Sequence, residues 1–592
     1  MSKRDNFSSE LPPDVVEATL PFLSPEDIKN LSLTNKYYKK LLDYDSSRTL
    51  WHDLYHKDFG TIYTNTEPFQ SENHQKFKTC SETIMVERYP YMDWQQIYQA
   101  RTDKANFYTW GCLRHSRLGY TAASNTNLTD GALNGGARLS SGVNCPTRVP
   151  WFPSNAPADD RPIVQISSGG FSFQILTKSG KIFTTGSTYT GGHKGPGPRG
   201  AANDYNPFRD AIRALERGYP RISGRGPVTE FHPISTTGTF PRTMPLHHGP
   251  TPVPAPTGRL SSPHSNIYKD LEQLGESANE YVPGNKHIRR MLTRNSFPIY
   301  CDPNDLHIEK SKFGKLKFVA ISSGRSHFLA LDDKNDIYSW DNSESEHGVK
   351  IIFDNLPSKI SNPILKIACG WDFDSVYIFG IGLVLWEDRE ALQKGMEASH
   401  AYHEIIPNTG EVSGDDKLVD FTCTQGKTVY YITNAADTLY QYSSGTIRKI
   451  KLPIDGKISK VTSCFTSLVV FVENDCYSIQ LKEGNLDIDS IMKLVLEDPD
   501  DFIISLSGGD YHTLALTKKG QLYVWGVESQ YSGCFGIGRP EHIVNELHVG
   551  SWNGSRNVKV SKPLKITLDQ DYSCVAIAAG GWQCGALIIK ND

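Results

Sequence analysis

Two periodicities divide this chain. Near the N-terminus, the apolar residues Val15, Val16, Leu20, Leu23, Ile28, Leu31, Leu33, Tyr37, Tyr38, Leu41, Leu42, Leu50, Trp51 and Leu54 recur three and four positions apart, which is the spacing of helix faces. Ser24-Pro25-Glu26-Asp27 reads as a helix start: a capping hydroxyl, a proline suited to the first turn, and two acids at the positive end of the dipole. Beyond residue 106 the pattern becomes alternating, as in strands with one face in and one face out.

The alternating part repeats itself. IVQISSGGFSFQILTKSGKIFTTGS from Ile163, FVAISSGRSHFLALDDKNDIYSWDN from Phe318 and FIISLSGGDYHTLALTKKGQLYVWG from Phe502 share one plan. Each predicts a strand, a glycine turn, a second strand, a tight turn and a third strand. Weaker copies start at Ile364, Leu418 and Ile458, and a half-copy starts at Cys574. The half-copy lacks outer strands, and residues 106–119 supply strands without an inner one, so the two ends complete each other. Seven starts then predict a mainly β fold, a seven-bladed β-propeller closed by 106–119 with 574–589, preceded by a small all-α domain. The expected division is 1–60 for that domain, 61–105 for a helical linker and 106–592 for the ring. Residues 188–312 form a Gly/Pro-rich insertion within it. Segments such as GGHKGPGPRG and HHGPTPVPAPTGRL cannot close a packed core, although Asn266 to Leu292 carries apolar residues for a short helix or two.

Composition narrows the function. Lys plus Arg number 62 against 66 Asp plus Glu, giving a formal charge of −4 and a pI near 6.5. No global positive field exists to hold nucleic acid or an anionic membrane, so neither is expected as a partner. The 11 cysteines contain no CxxC pair and read as reduced, mostly buried thiols. Met1 to Glu10 lacks the apolar stretch of a secretory signal, which predicts a cytoplasmic or nuclear protein. The apolar run Ser375 to Trp386 is too short to cross a bilayer and reads as two buried strands around Gly380 and Gly382.

Catalytic and ligand motifs find little footing in this sequence. Gly195-Pro196-Gly197-Pro198-Arg199-Gly200 matches a phosphate-loop spelling, but no strand precedes it and its prolines remove donors. His247-His248 has no partner ligands at useful spacing, and no nucleophile elbow or Walker sequence occurs. No catalytic residue, metal site or cofactor is assigned. His327 and His512, at equivalent repeat positions, read as packing residues.

The segment from Leu11 to Gly60 resembles an F-box, with Leu11, Pro12, Leu20, Leu23, Pro25, Ile28, Leu31, Tyr38, Leu41, Trp51 and Phe59 at family positions; Leu33-Thr34-Asn35-Lys36 replaces the usual Val-Cys before the basic residue. The repeats resemble the regulator of chromosome condensation family. Gly509, His512, Ala515, Leu516, Gly520 and Trp525-Gly526 make the best copy, and Gly324, His327, Ala330, Leu331 and Trp340 a second. The F-box resemblance implies docking on a Skp-type adaptor and through it on a cullin, with Leu11, Pro12, Leu20, Leu23, Ile28, Leu31 and Leu33 as anchors. The combination is similar to fungal F-box receptors of SCF-type ubiquitin ligases that carry this propeller. It implies a non-catalytic substrate receptor that holds a protein cargo, adenine deaminase by that resemblance, for ubiquitination and proteasomal degradation. The competing readings are a guanine nucleotide exchange factor for a Ran-like GTPase and a scaffold outside any ligase. Within the repeat, residues just after the turn glycine should reach one rim of the ring, which nominates Phe171, Arg325, Trp371, Asp510, Tyr511 and Trp582 as the cargo surface.

Overall fold

The computed structural model describes residues 11–20, 23–59, 80–113, 117–119, 138–139, 142–149, 162–186, 299–301, 316–341, 348–356, 362–390, 398–435, 438–482, 484–529, 532–554, 557–568 and 572–590. The predicted helix between Asn266 and Leu292, and most of the insertion, lie outside these residues.

Four helices open the chain: α1 (Pro13–Thr19), α2 (Pro25–Thr34), α3 (Lys36–Leu42) and α4 (Arg48–Phe59). Ser24 Oγ accepts the Asp27 N–H and Asp27 Oδ2 accepts the Ser24 N–H, each at 3.1 Å, a reciprocal cap with Pro25 in the first turn. Asn35 Oδ1 accepts the Tyr38 N–H at 2.9 Å, so the residue at the family's departure point ends α2 and caps α3. Two more helices, α5 (Cys80–Arg88) and α6 (Trp94–Asp103), lead to the sheets, and Asp93 with Gln96 caps α6 in the same reciprocal way.

Strands then follow in groups. The N-terminal group is β1 (Ala105–Cys112), β2 (Arg138–Leu139) and β3 (Gly142–Arg148). Next come β4 (Ile163–Ser168), β5 (Phe173–Thr177), β6 (Ile182–Thr184) and β7 (Ile299–Cys301), then β8 (Phe318–Ser323), β9 (Phe328–Asp332), β10 (Ile337–Trp340) and β11 (Val349–Phe353). β12 (Ile364–Cys369), β13 (Asp374–Ile378), β14 (Gly382–Arg389) and β15 (Ala398–Ile405) precede β16 (Leu418–Cys423), β17 (Val429–Thr433), β18 (Thr438–Ser443) and β19 (Thr446–Lys451). The series continues through β20 (Ile458–Cys464), β21 (Ser467–Val472), β22 (Asp475–Lys482) and β23 (Asn485–Lys493). It ends with β24 (Ile503–Gly508), β25 (His512–Thr517), β26 (Leu522–Ser529), β27 (Ser551–Asn553), β28 (Asn557–Ile566), β29 (Tyr572–Gly580) and β30 (Gln583–Lys590).

Strands within each group pair antiparallel, mostly as meanders, although β3 rather than β2 lies beside β1 and β28 rather than β27 beside β26; β11 and β15 pair in parallel to join two groups into one eight-stranded sheet. The first strands touch in a closed cycle among the described residues: β29, β4, β8, β12, β16, β20, β24 and back to β29. β1 pairs antiparallel with β30, Ala105 opposite Ile589 through Gly111 opposite Gln583, so the N-terminal strand completes the C-terminal sheet and removes two open edges. Two details differ from the sequence expectation. A fourth, outer strand closes each group, and Ile299–Cys301, assigned above to the insertion, pairs with β6 as one of these. Outer strands such as β19 (TIRKIK) and β23 (NLDIDSIMK) are largely solvated, so they lack the apolar alternation that revealed the inner three.

The repeat glycines are sites of close approach. A Cβ on Gly324 would lie 2.2 Å from His327 Cε1 and 2.6 Å from the Gly370 carbonyl of the next unit. Gly526, in the Trp-Gly pair, has φ +112° and would place a Cβ 2.4 Å from the Tyr511 carbonyl. Gly526→Ala is therefore expected to destabilise the ring by about 3 kcal/mol or more, since backbone strain and a backbone clash combine. A lowered denaturant midpoint would show it, and an unchanged midpoint would contradict it.

His512 is fully buried beside Cys584, with Nε2 3.0 Å from Sγ, and burial lowers its pKa to about 4. The folded value lies below the unfolded one, so the neutral ring contributes stability above pH 6.5 that is lost as pH falls towards 4. Asp332 runs the other way: burial raises it to about 6, and its contribution is present below 3.8 and lost as pH rises through 6. The two oppose each other in the wild type, so the comparison with His512→Gln isolates the histidine. The stability advantage of wild type over this variant should shrink by about 3 kcal/mol between pH 7 and 4; a constant difference would refute the assignment.

Candidate functional site

The sequence-nominated helical residues divide by burial. Leu11 is 48% and Leu33 67% exposed, with Pro12 and Val15 also exposed, whereas Leu20, Leu23 and Leu31 are half-buried against the core. Ile28 is fully buried; it is a core residue of the helical domain and not a surface anchor, because α2 turns that face inward. Leu11 is held in place through its backbone, its N–H donating to Tyr38 Oη at 2.9 Å and its carbonyl accepting from Tyr37 Oη at 2.8 Å. Exposed apolar side chains thus stand just ahead of α1 (Leu11, Pro12), on α1 (Val15) and on α2 (Leu33), surface of a kind that marks interaction sites.

This patch is coupled to the ring through a continuous interior. Leu54, Tyr55 and Phe59 of α4, Ile84 and Met85 of α5, and Ile97 of α6 belong to the same buried cluster as Phe107, Leu514 and Ala586 of the sheets. Polar contacts add to it. Lys178 Nζ, in the turn after β5, lies 2.7 Å from Asp58 Oδ2 of α4 and donates to Tyr98 Oη of α6 at 2.6 Å. Arg88 Nε donates to Ser573 Oγ at 3.1 Å. Arg101 is buried with its guanidinium 4.5 Å from the Phe59 ring centroid, and burial lowers its pKa.

The six rim residues come together at one mouth of the central channel. The loops that carry them are stitched by backbone bonds: Gly170 N–H donates to the Arg325 carbonyl at 2.8 Å, Arg325 N–H to that of Trp371 at 3.3 Å, and Asp510 N–H to that of Gly581 at 2.9 Å. The Arg325 guanidinium lies 3.8 Å from the Trp371 ring centroid and 5.1 Å from that of Phe171. Its Nη1 donates to Asp510 Oδ2 at 2.8 Å, linking distant units of the ring. Tyr511 and Trp582 have ring centroids 4.9 Å apart. Below the mouth, a cavity of 280 Å³ is lined by hydroxyls such as Ser168, Ser323, Thr422 and Ser463 and by Lys366, the last committed to Asp420 Oδ1 at 2.7 Å.

The side chains are less open than a bare rim would be. Tyr511 is 44% exposed, but Arg325 and Asp510 are only 14% and 12% exposed, because each covers its neighbour. The sequence reasoning also missed two members. Phe465 stacks on Trp371 at 4.4 Å and meets Tyr511 edge-on at 6.3 Å, bridging the two halves of the cluster. Arg117 lies 5.0 Å from the Phe171 ring centroid. Phe465 occupies the same register as Trp371, but its repeat has Cys464 where others have glycine, so it escaped notice.

Nucleophilic chemistry finds little support among the described residues. Burial pushes the Cys369, Cys534 and Cys584 thiols well up, which suppresses thiolate. His327 Nε2 lies 2.9 Å from Asp374 Oδ1 with both side chains fully buried, a packing arrangement.

A capped helical module is thus joined through one core to a ring of glycine-turn repeats. The regulator of chromosome condensation (RCC1) repeat is matched at residues 503–534. Over 640 aligned residues the chain is 50% identical to SCF-associated factor 1 of Saccharomyces cerevisiae, covering 100% of this chain and 99% of that protein. The chain belongs to the SCF-associated factor 1 family. It is also 27% identical to F-box protein pof9 of Schizosaccharomyces pombe over 300 residues, 46% of this chain and 58% of that one. Among solved structures, yeast RCC1 (Prp20) bound to Kap60 aligns with a TM-score of 0.46 at 11% identity, covering 83% of this chain and 90% of that one.

Proposed function

We propose that this chain is the substrate-recognition subunit of an SCF-type ubiquitin ligase in the cytosol or nucleus, itself non-catalytic. The exposed patch of Leu11, Pro12, Val15 and Leu33, with the half-buried Leu20, Leu23 and Leu31 beneath it, docks on a Skp-type adaptor and through it on a cullin. The ring, counted as seven blades from its cycle of inner strands, presents cargo for ubiquitination and degradation at the mouth formed by Phe171, Arg325, Trp371, Phe465, Asp510, Tyr511 and Trp582. Two arginines against one aspartate, set among aromatic rings, suit a cargo segment that combines acidic and apolar side chains.

The observation that carries this reading is the continuous core between the apolar helical patch and the ring. A receptor must hold cargo at a fixed place relative to the ligase, and a shared interior provides that where a flexible tether would not. The direct test is size-exclusion chromatography of the full chain with a purified Skp-type adaptor. A one-to-one complex is expected, and separate elution at micromolar concentrations would overturn the docking. Adenine deaminase, the cargo implied by resemblance, is the first protein to assay for binding at the mouth.

A further inference from the structure

We propose that His52 and His56 of α4 and Glu82 of α5 form a binding site for one divalent first-row transition metal of the zinc or cobalt class. His52 and His56 stand one helical turn apart on the same face, and their Nε2 atoms are 3.1 Å from each other. Glu82 brings Oε1 to 3.4 Å from His52 Nε2 and Oε2 to 3.1 Å from His56 Nε2. Zinc bonds of about 2.0–2.1 Å place tetrahedral ligands roughly 3.3 Å apart; the two imidazole nitrogens stand near that spacing from each other, and each stands near it from one of the two Glu82 oxygens, so a turn of the carboxylate would set one oxygen at the third corner of a tetrahedral face. The His52, His56 and Glu82 side chains are 37%, 29% and 18% exposed, so the donors are within reach of an ion from solvent.

The chemistry of the donors selects the class of ion. Two imidazoles and one carboxylate suit zinc, cobalt, nickel or copper, whereas magnesium and calcium favour all-oxygen sets. Asp53 Oδ1 lies 3.4 Å from His52 Nδ1, where it would accept an Nδ1–H and leave the Nε2 lone pair for the metal. Trp94 packs edge-on against His52 with ring centroids 4.5 Å apart, fixing the ring plane. Among the described residues, the other grouping of this kind, His327, Cys369 and Asp374, differs in having its histidine and aspartate sealed from solvent and its thiol pushed well up. Ligand residues on α4 and α5 would make the ion a strut. It would tie the F-box to the helix whose Ile84 and Met85 are buried in the core shared with the ring.

The test is titration of the full chain, stripped with chelator and returned to metal-free buffer, with Co²⁺. The expected result is one ion per chain, visible d–d bands of a nitrogen and oxygen ligand set without near-ultraviolet thiolate charge transfer, and quenching of tryptophan emission. His52→Gln with His56→Gln should abolish these signals, and Glu82→Gln should weaken binding about tenfold or more. All three side chains are partly solvated, and circular dichroism checks the fold; should the double variant misfold, His56→Gln alone carries the prediction. Absence of cobalt bands in the wild type, or bands that persist in the histidine variant, would overturn the site and place any bound ion elsewhere.

Discussion

Leu11→Ala combined with Leu33→Ala should weaken adaptor binding by about 100-fold or more, with the melting temperature of the free chain unchanged. Both side chains are exposed in the isolated protein, so their removal costs the folded chain little. In a complex each would bury apolar surface contributing roughly 1.5–3 kcal/mol, and a loss of about 1.4 kcal/mol is already tenfold in affinity. Ile28→Ala would be a poor substitute. That side chain is fully buried, and its truncation costs about 2–5 kcal/mol of stability, so loss of adaptor would reflect an unfolded module. Calorimetric titration of adaptor into the double variant measures the effect. Wild-type affinity would place the docking surface elsewhere.

The second large effect concerns the channel mouth. Trp371→Ala and Trp582→Ala are each expected to reduce cargo affinity by about 30-fold, the loss of about 2 kcal/mol typical of aromatic hot spots, with adaptor binding untouched. Neither ring takes part in the backbone ladder that holds the loops, so the ring should stay closed. Arg325→Ala is less clean, because it strips Asp510 of its ion pair at 2.8 Å and leaves a buried carboxylate uncompensated. Full cargo capture by both tryptophan variants would shift recognition away from the mouth.

How much of this was legible in the sequence follows from what each residue faces. The inner three strands of each unit are buried on alternating or both faces, as in β9 (FLALD) and β25 (HTLALT), and so announced themselves by period. Outer strands such as β19 are solvated and gave a weak pattern, whereas β11 alternates clearly, Val349, Ile351 and Phe353 facing the core; its parallel partner β15 lies across a sequence gap that no local period displays. The start of α2 was readable because its cap uses specific side chains, at Ser24 and Asp27; the cap of Asp93 on α6 emerged only with the structure. Ile28 was misassigned because helical spacing marks an apolar face without saying whether the chain itself or a partner covers it. The rim residues were found by register, since the ring brings equivalent positions to one mouth; Phe465 shared that register but not the glycine that identified it. The convergence of His52, His56 and Glu82 depends on how α5 packs against α4. Sequence spacing displays only the histidine pair.

The most direct measurement is affinity purification from cells after proteasome inhibition. The wild-type chain, the Leu11→Ala/Leu33→Ala variant and a Trp371→Ala/Trp582→Ala variant would be compared, with adaptor and co-purified cargo quantified together. A receptor with separate docking and recognition surfaces predicts a crossed result: the helical variant keeps cargo and loses adaptor, and the mouth variant keeps adaptor and loses cargo. Cargo retained at wild-type levels by the mouth variant, or adaptor and cargo lost together in both, would contradict it.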